Sequence, residues 1–404
     1  MTKLAGTAVF LTTLIAGLSR AHAESPDQLG RGEGDTHFEL EPGAVAYNYA
    51  ERGFNLPHGV AADAKHVYVT EPLGSLDPTA GQGPRVAILN RLTGEEVAEL
   101  PPPPEGFVLP FGLRMEEPGK LVVLDAGGFP SPLALAVPRI HVYRIQGHHE
   151  RIRAELVRSV MVQALIIFSE ELEVIGPDRY VISDSGFGAL WVIEPDDTVR
   201  PGIIPETLSP PDAIPALSAC PFPGDYTVGD IPFEFPGNFA PGVGALGTDG
   251  TYLYMSGTCR GGISRVPLAV FDDDRAPWDR AADIQDVFVR PAGEIGTMKG
   301  LLFSRDNPDD NTLYALEPFN LRLVRIDVAS GERTVVLDDP VLFNFPVAAA
   351  FLPANGMDVM VITSDQEQRL PFLNAGLDPS QPPPLQLPFL VTKAFIKPGN
   401  GHHH

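Results

Sequence analysis

Two sets of residues in this chain stand where chemistry could be done. The first is a series of acids that close short apolar runs: Glu71 in "HVYVTE", Asp125 in "KLVVLD", Asp184 in "RYVISD", Glu317 in "TLYALE" and Asp365 after "DVMVITS", with Ser256 at the equivalent point of "YLYMSG". The second set, His58, Glu171 and Lys299, opens the run that precedes each of three such segments. A histidine, a carboxylate and an amine that converge in an apolar setting can exchange protons near neutral pH if burial and neighbours tune them. The same residues also have a quieter reading. A strand-end acid caps backbone N–H groups of the following turn, a buried histidine can be structural, and a glutamate facing a lysine can simply be a neutralised pair.

The spacing of these residues comes from a repeat. The chain holds 40 glycines and 42 prolines, together about a fifth of its length, which punctuate short runs of Val, Ile, Leu and Tyr. Helical periodicity is weak except at 151–175, "RIRAELVRSVMVQALIIFSEELEVI", where strand and helix readings compete. Six units of one design follow each other at intervals of roughly 50–70 residues: "LPHGVAADAKHVYVTEP", "LPFGLRMEEPGKLVVLDAGG", "LEVIGPDRYVISDSGFG", "VGALGTDGTYLYMSGT", "KGLLFSRDNPDDNTLYALEP" and "VAAAFLPANGMDVMVITSDQE". Four short strands per unit is the signature of a β-propeller, so the expected fold is all-β, a single six-bladed propeller over 47–397. On this reading 66–96 and 311–332 hold the second and third strands of two blades. Either "AVAYNYAE" (44–51) or "LVTKAFI" (390–396) completes the last blade and removes an exposed edge.

Propeller topology then gives the two residue sets their place. The start of the innermost strand and the end of the second strand share one rim of the central funnel, so both sets ring its mouth. The long connections "LGSLDPTAGQGP" (73–84), "AGGFPSPLALAVP" (126–138), 205–242 and 369–389 fall on the same rim and are rich in Pro, Phe and Leu. They either cover a pocket for a small apolar or aromatic molecule, or only shield the core, or contact another subunit.

Composition excludes several functions. Residues 1–23 read as a secretory signal peptide, with Lys3, the apolar stretch "LAGTAVFLTTLIAGL" and the small-x-small site Ala21-His22-Ala23 before Glu24. That stretch is too short for a stable membrane anchor. Residues 24–46 form an N-terminal segment, and 398–404 a tail whose closing Gly-His-His-His takes no part in site reasoning. Without Lys3 and Arg20 the mature chain of roughly 380 residues carries 27 basic against 52 acidic residues, a net charge of −25. Such a surface repels phosphate backbones and anionic lipid. A secreted or periplasmic monomer with a small-molecule ligand, no nucleic acid and no membrane span is expected. The two cysteines, Cys220 and Cys259, are expected to form a disulfide in an oxidising compartment. The acidic stretches 271–275 ("FDDDR") and 306–310 ("DNPDD") lack the ligand spacing of a calcium loop.

The six-fold "P-x-G-[VL]…LyV-x-[DE]…R-I/V-x-x-[IV]-[DE]" pattern resembles the gluconolactonase/regucalcin, strictosidine synthase-like and yellow/major royal jelly propellers. "VGALGTDGTYLYMSGTCRGGISRVPLAVFDD" followed by "GEIGTMKGLLF" is most similar to the yellow/royal jelly arrangement. The resemblance implies a ligand or substrate in the funnel. In the calcium-dependent gluconolactonase-like members, a Glu, two Asn and an Asp hold the ion. Carried over, these positions fall on His58, on Glu170 or Glu171, on Val243 and on Lys299. Valine cannot ligate calcium, and lysine brings a positive charge of its own, so no metal is assigned; an unrelated cation site stays open. There is no G-x-S-x-G elbow, H-E-x-x-H, P-loop or Rossmann pattern. Two functions follow: a lactonase- or esterase-like hydrolase, or a non-catalytic small-molecule-binding propeller.

Overall fold

The computed structural model describes residues 44–77, 79–128, 137–147, 151–164, 166, 168–186, 188–204, 226–234, 242–257, 261–291, 294, 296–303, 311–353, 358–371 and 373–396. The expected signal peptide, the tail, the stretch 306–310 and both Cys220 and Cys259, between which a disulfide is expected, lie outside the described residues.

The chain enters with β1 (Val45–Glu51) and then lays down one four-stranded antiparallel sheet after another. Blade 1 is β2 (Val60–Ala62), β3 (His66–Glu71), β4 (Arg85–Asn90) and β5 (Glu96–Glu99). Blade 2 is β6 (Pro110–Glu117), β7 (Lys120–Asp125), β8 (Arg139–Gln146) and β9 (Arg153–Met161). Blade 3 is β10 (Leu172–Gly176), β11 (Arg179–Asp184), β12 (Ala189–Ile193) and β13 (Val199–Ile203). A small hairpin, β14 (Thr227–Val228) and β15 (Ile231–Pro232), intervenes before blade 4: β16 (Val243–Thr248), β17 (Tyr252–Gly257), β18 (Ile263–Pro267) and β19 (Gln285–Phe288). Blade 5 is β20 (Lys299–Phe303), β21 (Thr312–Glu317), β22 (Arg322–Asp327) and β23 (Arg333–Asp338). Blade 6 is β24 (Pro346–Leu352), β25 (Asp358–Ser364) and β26 (Leu390–Ile396), and β1 pairs antiparallel with β26 to complete it. Both terminal segments therefore join the last blade, rather than one of them. The result is a six-bladed β-propeller, and its helices among the described residues are short 3-10 turns. No helix there is long and apolar enough to cross a membrane.

The burial pattern explains why the strands read as continuous apolar runs. A second strand is covered by a neighbouring blade on each face, and β3, β21 and β25 are buried along their whole length. Outer strands keep one wet face, so β9 alternates between exposed and covered positions. That alternation settles 151–175. Ala154, Leu156 and Val160 point into the core clusters between blades, a period of two that a helix cannot supply.

At the funnel the inner strands crowd together. A Cβ on Gly59 would lie 2.0 Å from the Phe111 carbonyl oxygen of the next blade, so only glycine fits. Hydroxyls link adjacent blades here: Thr70 donates to the Phe111 carbonyl (3.0 Å), Ser185 to the Val243 carbonyl (2.9 Å) and Thr363 to the His58 carbonyl.

Candidate functional site

The acids at the ends of the second strands divide into three kinds. Glu71 accepts from Arg52 Nε (2.8 Å), Arg85 Nε (2.6 Å) and Asn55 Nδ2 (2.9 Å), and Glu317 from Arg290 (3.0 Å), Arg322 (2.6 Å) and Arg333 (2.9 Å). Burial works to raise the Glu317 pKa, but its three guanidiniums overcome it and hold the carboxyl at about 2. These two are clamps on the blade. Asp125 and Asp184 cap backbone instead. Asp125 accepts from the N–H groups of Val108, Leu109 and Gly127, and Asp184 from those of Phe168 and Gly186. Asp365 alone among them joins the axial set: it accepts from the Glu367 N–H, and its other oxygen lies 3.0 Å from His58 Nδ1. Ser256 donates weakly to the Gly257 carbonyl (3.4 Å).

The second set does converge. His58 lies just before β2, Glu170 and Glu171 just before β10, and Lys299 opens β20. Asp365 and Glu367 follow β25. Lys299 donates to Glu170, the neighbour of Glu171, and the single Ser185 hydroxyl proton is shared between the Val243 carbonyl (2.9 Å) and the other Glu170 oxygen (3.1 Å). Glu171 turns to Arg114 of β6 (3.4 Å), which also holds Glu173 (3.0 Å) and reaches the Leu246 carbonyl of blade 4 (3.1 Å). Glu170 was the named alternative to Glu171, whereas Glu367, Arg114, Glu173 and Ser185 are cluster members that the sequence did not single out. A charged residue inside the inner strand "PFGLRMEE" was the available signal for Arg114.

Burial dominates the electrostatics. It pushes Glu171 up to about 7 against the pull of Arg114 and Lys299, and it raises Asp365 and Glu367 well above the usual carboxylate range. Burial drives His58 down to about 3, so the imidazole is neutral at pH 7. Burial also works against the Lys299 ammonium, but Glu170, Glu367 and Glu171 outweigh it and raise its pKa. The His58 Nε2 atom makes no hydrogen bond to the described residues. Its ring packs on Phe111 (centroids 4.1 Å apart), which meets Phe168 edge-on (5.2 Å). The ionisable cluster is therefore bordered at His58 by a buried aromatic pair packed with Leu109 and Ala126.

The rim above carries apolar segments. The β14–β15 hairpin lays Val228 and Phe233 against Phe319, Leu321 and Phe345 of blades 5 and 6. Asn374 fastens it, accepting from the Glu234 N–H (3.0 Å) and donating to the Pro232 carbonyl (2.7 Å). Leu370, Leu385 and Phe389 pack with Leu56 and Leu76 on the blade 6–blade 1 side. The acidic stretch 271–275 is a turn held by arginine: Asp273 accepts from Arg275 and Arg280.

No protein-family model and no curated protein sequence matches the chain. Solved structures do resemble it. The allergen Mala s 1 of Malassezia sympodialis superposes with a TM-score of 0.55 at 11% identity, over 90% of this chain and 99% of that one. Regucalcin, a calcium-binding protein from Agrobacterium tumefaciens, gives 0.50 at 11% identity over 88% and 95%. A luciferin-regenerating enzyme gives 0.50 at 12% identity over 89% and 96%. The likeness is one of fold, and it agrees with the six-bladed propeller read from the repeat.

Proposed function

We propose that this chain is an exported propeller hydrolase, lactonase- or esterase-like, acting on a small apolar molecule in the central funnel. The observation that supports it is the His58–Asp365 pair, with Nε2 free of hydrogen bonds among the described residues, beside the Lys299 ammonium and the Phe111 ring. With Asp365 ionised, His58 donates through Nδ1–H and keeps the Nε2 lone pair. That lone pair takes the proton of a water molecule as its oxygen attacks the substrate carbonyl. Lys299 has three N–H donors and spends one on Glu170; another can donate to the oxyanion that develops. Breakdown of the tetrahedral intermediate then returns the imidazolium proton to the departing alkoxide. Phe111 and Phe168 would bind the apolar part of the substrate.

The test is turnover of a panel of lactones and aryl esters by wild type and His58→Gln. Hydrolysis that falls on substitution by about a hundredfold or more supports the reading. No turnover by wild type, or equal turnover by both, overturns it.

A second reading, a non-catalytic binding propeller, is favoured by one observation: an imidazole that protonates only at about pH 3 is a weak base. The structural neighbours do not choose, since their names describe an allergen, a calcium-binding protein and an enzyme. Binding of aromatic probes without turnover would establish this alternative.

A further inference from the structure

The calcium-dependent members of the resembling families would place an ion at the funnel mouth, and the residues here do not fit one. Calcium takes six to eight oxygens. Val243, where the carry-over puts one ligand, is fully buried in the core cluster of blades 3 and 4 with Leu246, Val181 and Leu190. His58 is engaged through Nδ1 with Asp365. Among the described residues no group of three His, Cys, Asp or Glu side chains is arranged to hold a metal.

Lys299 stands where another ligand would be. Its residue is 4% exposed, its Nζ donates to Glu170, and Glu171 and Glu367 act on it from close by. One ammonium therefore faces carboxylates from two other blades. A divalent ion added beside it would meet like charge in a poorly screened setting. Without it, Arg114 would still face Glu171, but Glu170, Asp365 and Glu367 would share a buried space with no ammonium to offset them, which costs far more than a vacant apolar site.

We infer that the Lys299 ammonium is the built-in cation of this funnel, tethered by its side chain in the place of a dissociable metal ion. The site then needs no metal supply, and its positive centre is a hydrogen-bond donor rather than an open coordination sphere. A ligand oxygen is met by N–H groups of fixed origin. The inference holds whether the funnel catalyses or only binds, because none of its readouts is turnover.

The experiment is thermal unfolding of wild type, Lys299→Ala and Lys299→Gln, with calcium chloride or ethylammonium chloride titrated into each at constant ionic strength. Wild type should melt at the same temperature throughout. Lys299→Ala should melt lower and regain several degrees, saturably, with either cation, since a ligand that binds only the folded state stabilises it. The regain should vanish in Lys299→Ala/Glu170→Gln. Lys299→Gln keeps most of the side-chain volume and separates loss of charge from loss of packing; calcium should raise its melting temperature as well. A saturable calcium rise in wild type that Glu170→Gln abolishes would overturn the inference, because ion and ammonium would then coexist. So would single variants that fold but gain nothing from either cation. Failure of both single variants to fold, with and without cations, would show that the ammonium is not replaceable by a free ion and would equally sink the idea.

Discussion

Lys299 and Glu170 lie 129 residues apart in sequence and meet as a buried ion pair that joins the inner strand of blade 5 to the approach of blade 3. Their side chains are 6% and 10% exposed. Removing one partner strands the other charge, so Lys299→Met and Glu170→Gln should each cost about 3–5 kcal/mol. The double variant should cost clearly less than the sum of the two. Urea unfolding of the four proteins measures the cycle; strict additivity would mean that the pair is not coupled.

Stability should fall as pH rises above neutrality. The Glu171 pKa is raised from 4.5 to about 7, so its contribution is full below 4.5 and is lost as pH rises through 7. Asp365 and Glu367 are raised too and act in the same direction. His58 has the opposite sign: lowered from 6.5 to about 3, it contributes fully above 6.5 and loses that as pH falls towards 3. Between pH 6.5 and about 8.5 the carboxyls act alone, and Glu171 accounts for about 1 kcal/mol of the decline. Melting curves across that interval should slope downwards, and Glu171→Gln should flatten them. Equal slopes in both proteins would refute the assignment.

The architecture was legible because a repeat is redundant. Six copies of one strand pattern, five with a closing acid and one with Ser256 in its place, identify the unit even where one copy is ambiguous, as at 151–175. The site was legible only by position. Glu170 and Glu171 are adjacent, and neighbouring residues on extended backbone point to opposite sides, so spacing alone could not say which reaches Lys299. Glu367 sits in a short turn after β25, outside any periodic signal. The strand-end acids look alike in sequence, yet Glu71 and Glu317 bind arginine, Asp125 and Asp184 bind backbone, and only Asp365 binds His58. That division is set by side chains from other segments, such as Arg52 and Arg290.

The proposed hydrolysis carries its own pH signature. At neutral pH, burial favours a protonated Asp365 beside a neutral His58. The shared proton then belongs to the carboxyl, which donates to Nδ1, and Nε2 carries a hydrogen rather than a lone pair. The competent base appears only once Asp365 ionises. kcat/KM should therefore climb through the alkaline side of neutrality and level off. Asp365→Asn should lose that limb together with most of the activity. A flat profile from pH 6 to about 9 would assign the base elsewhere.

Glu317 tests whether a strand-end acid is a clamp or part of the binding surface. It is fully buried and pairs with Arg290, Arg322 and Arg333, the first and last of which also reach Glu294. Glu317→Gln keeps the shape but removes the charge, which leaves three guanidiniums crowded around a neutral amide. The expected cost is about 3–5 kcal/mol, with an unfolding midpoint shifted strongly to lower urea. Because the clamp holds blade 5 and makes no hydrogen bond to Lys299, His58 or Glu171, the folded variant should bind funnel ligands as wild type does. The same substitution at Asp365 should do the reverse in kind, disturbing the funnel chemistry more than the blade. Measured side by side at a urea concentration where both variants are folded, probe affinity should follow Asp365 and stability should follow Glu317. A Glu317→Gln protein that loses probe binding while keeping its unfolding midpoint would return this acid to the ligand-binding set.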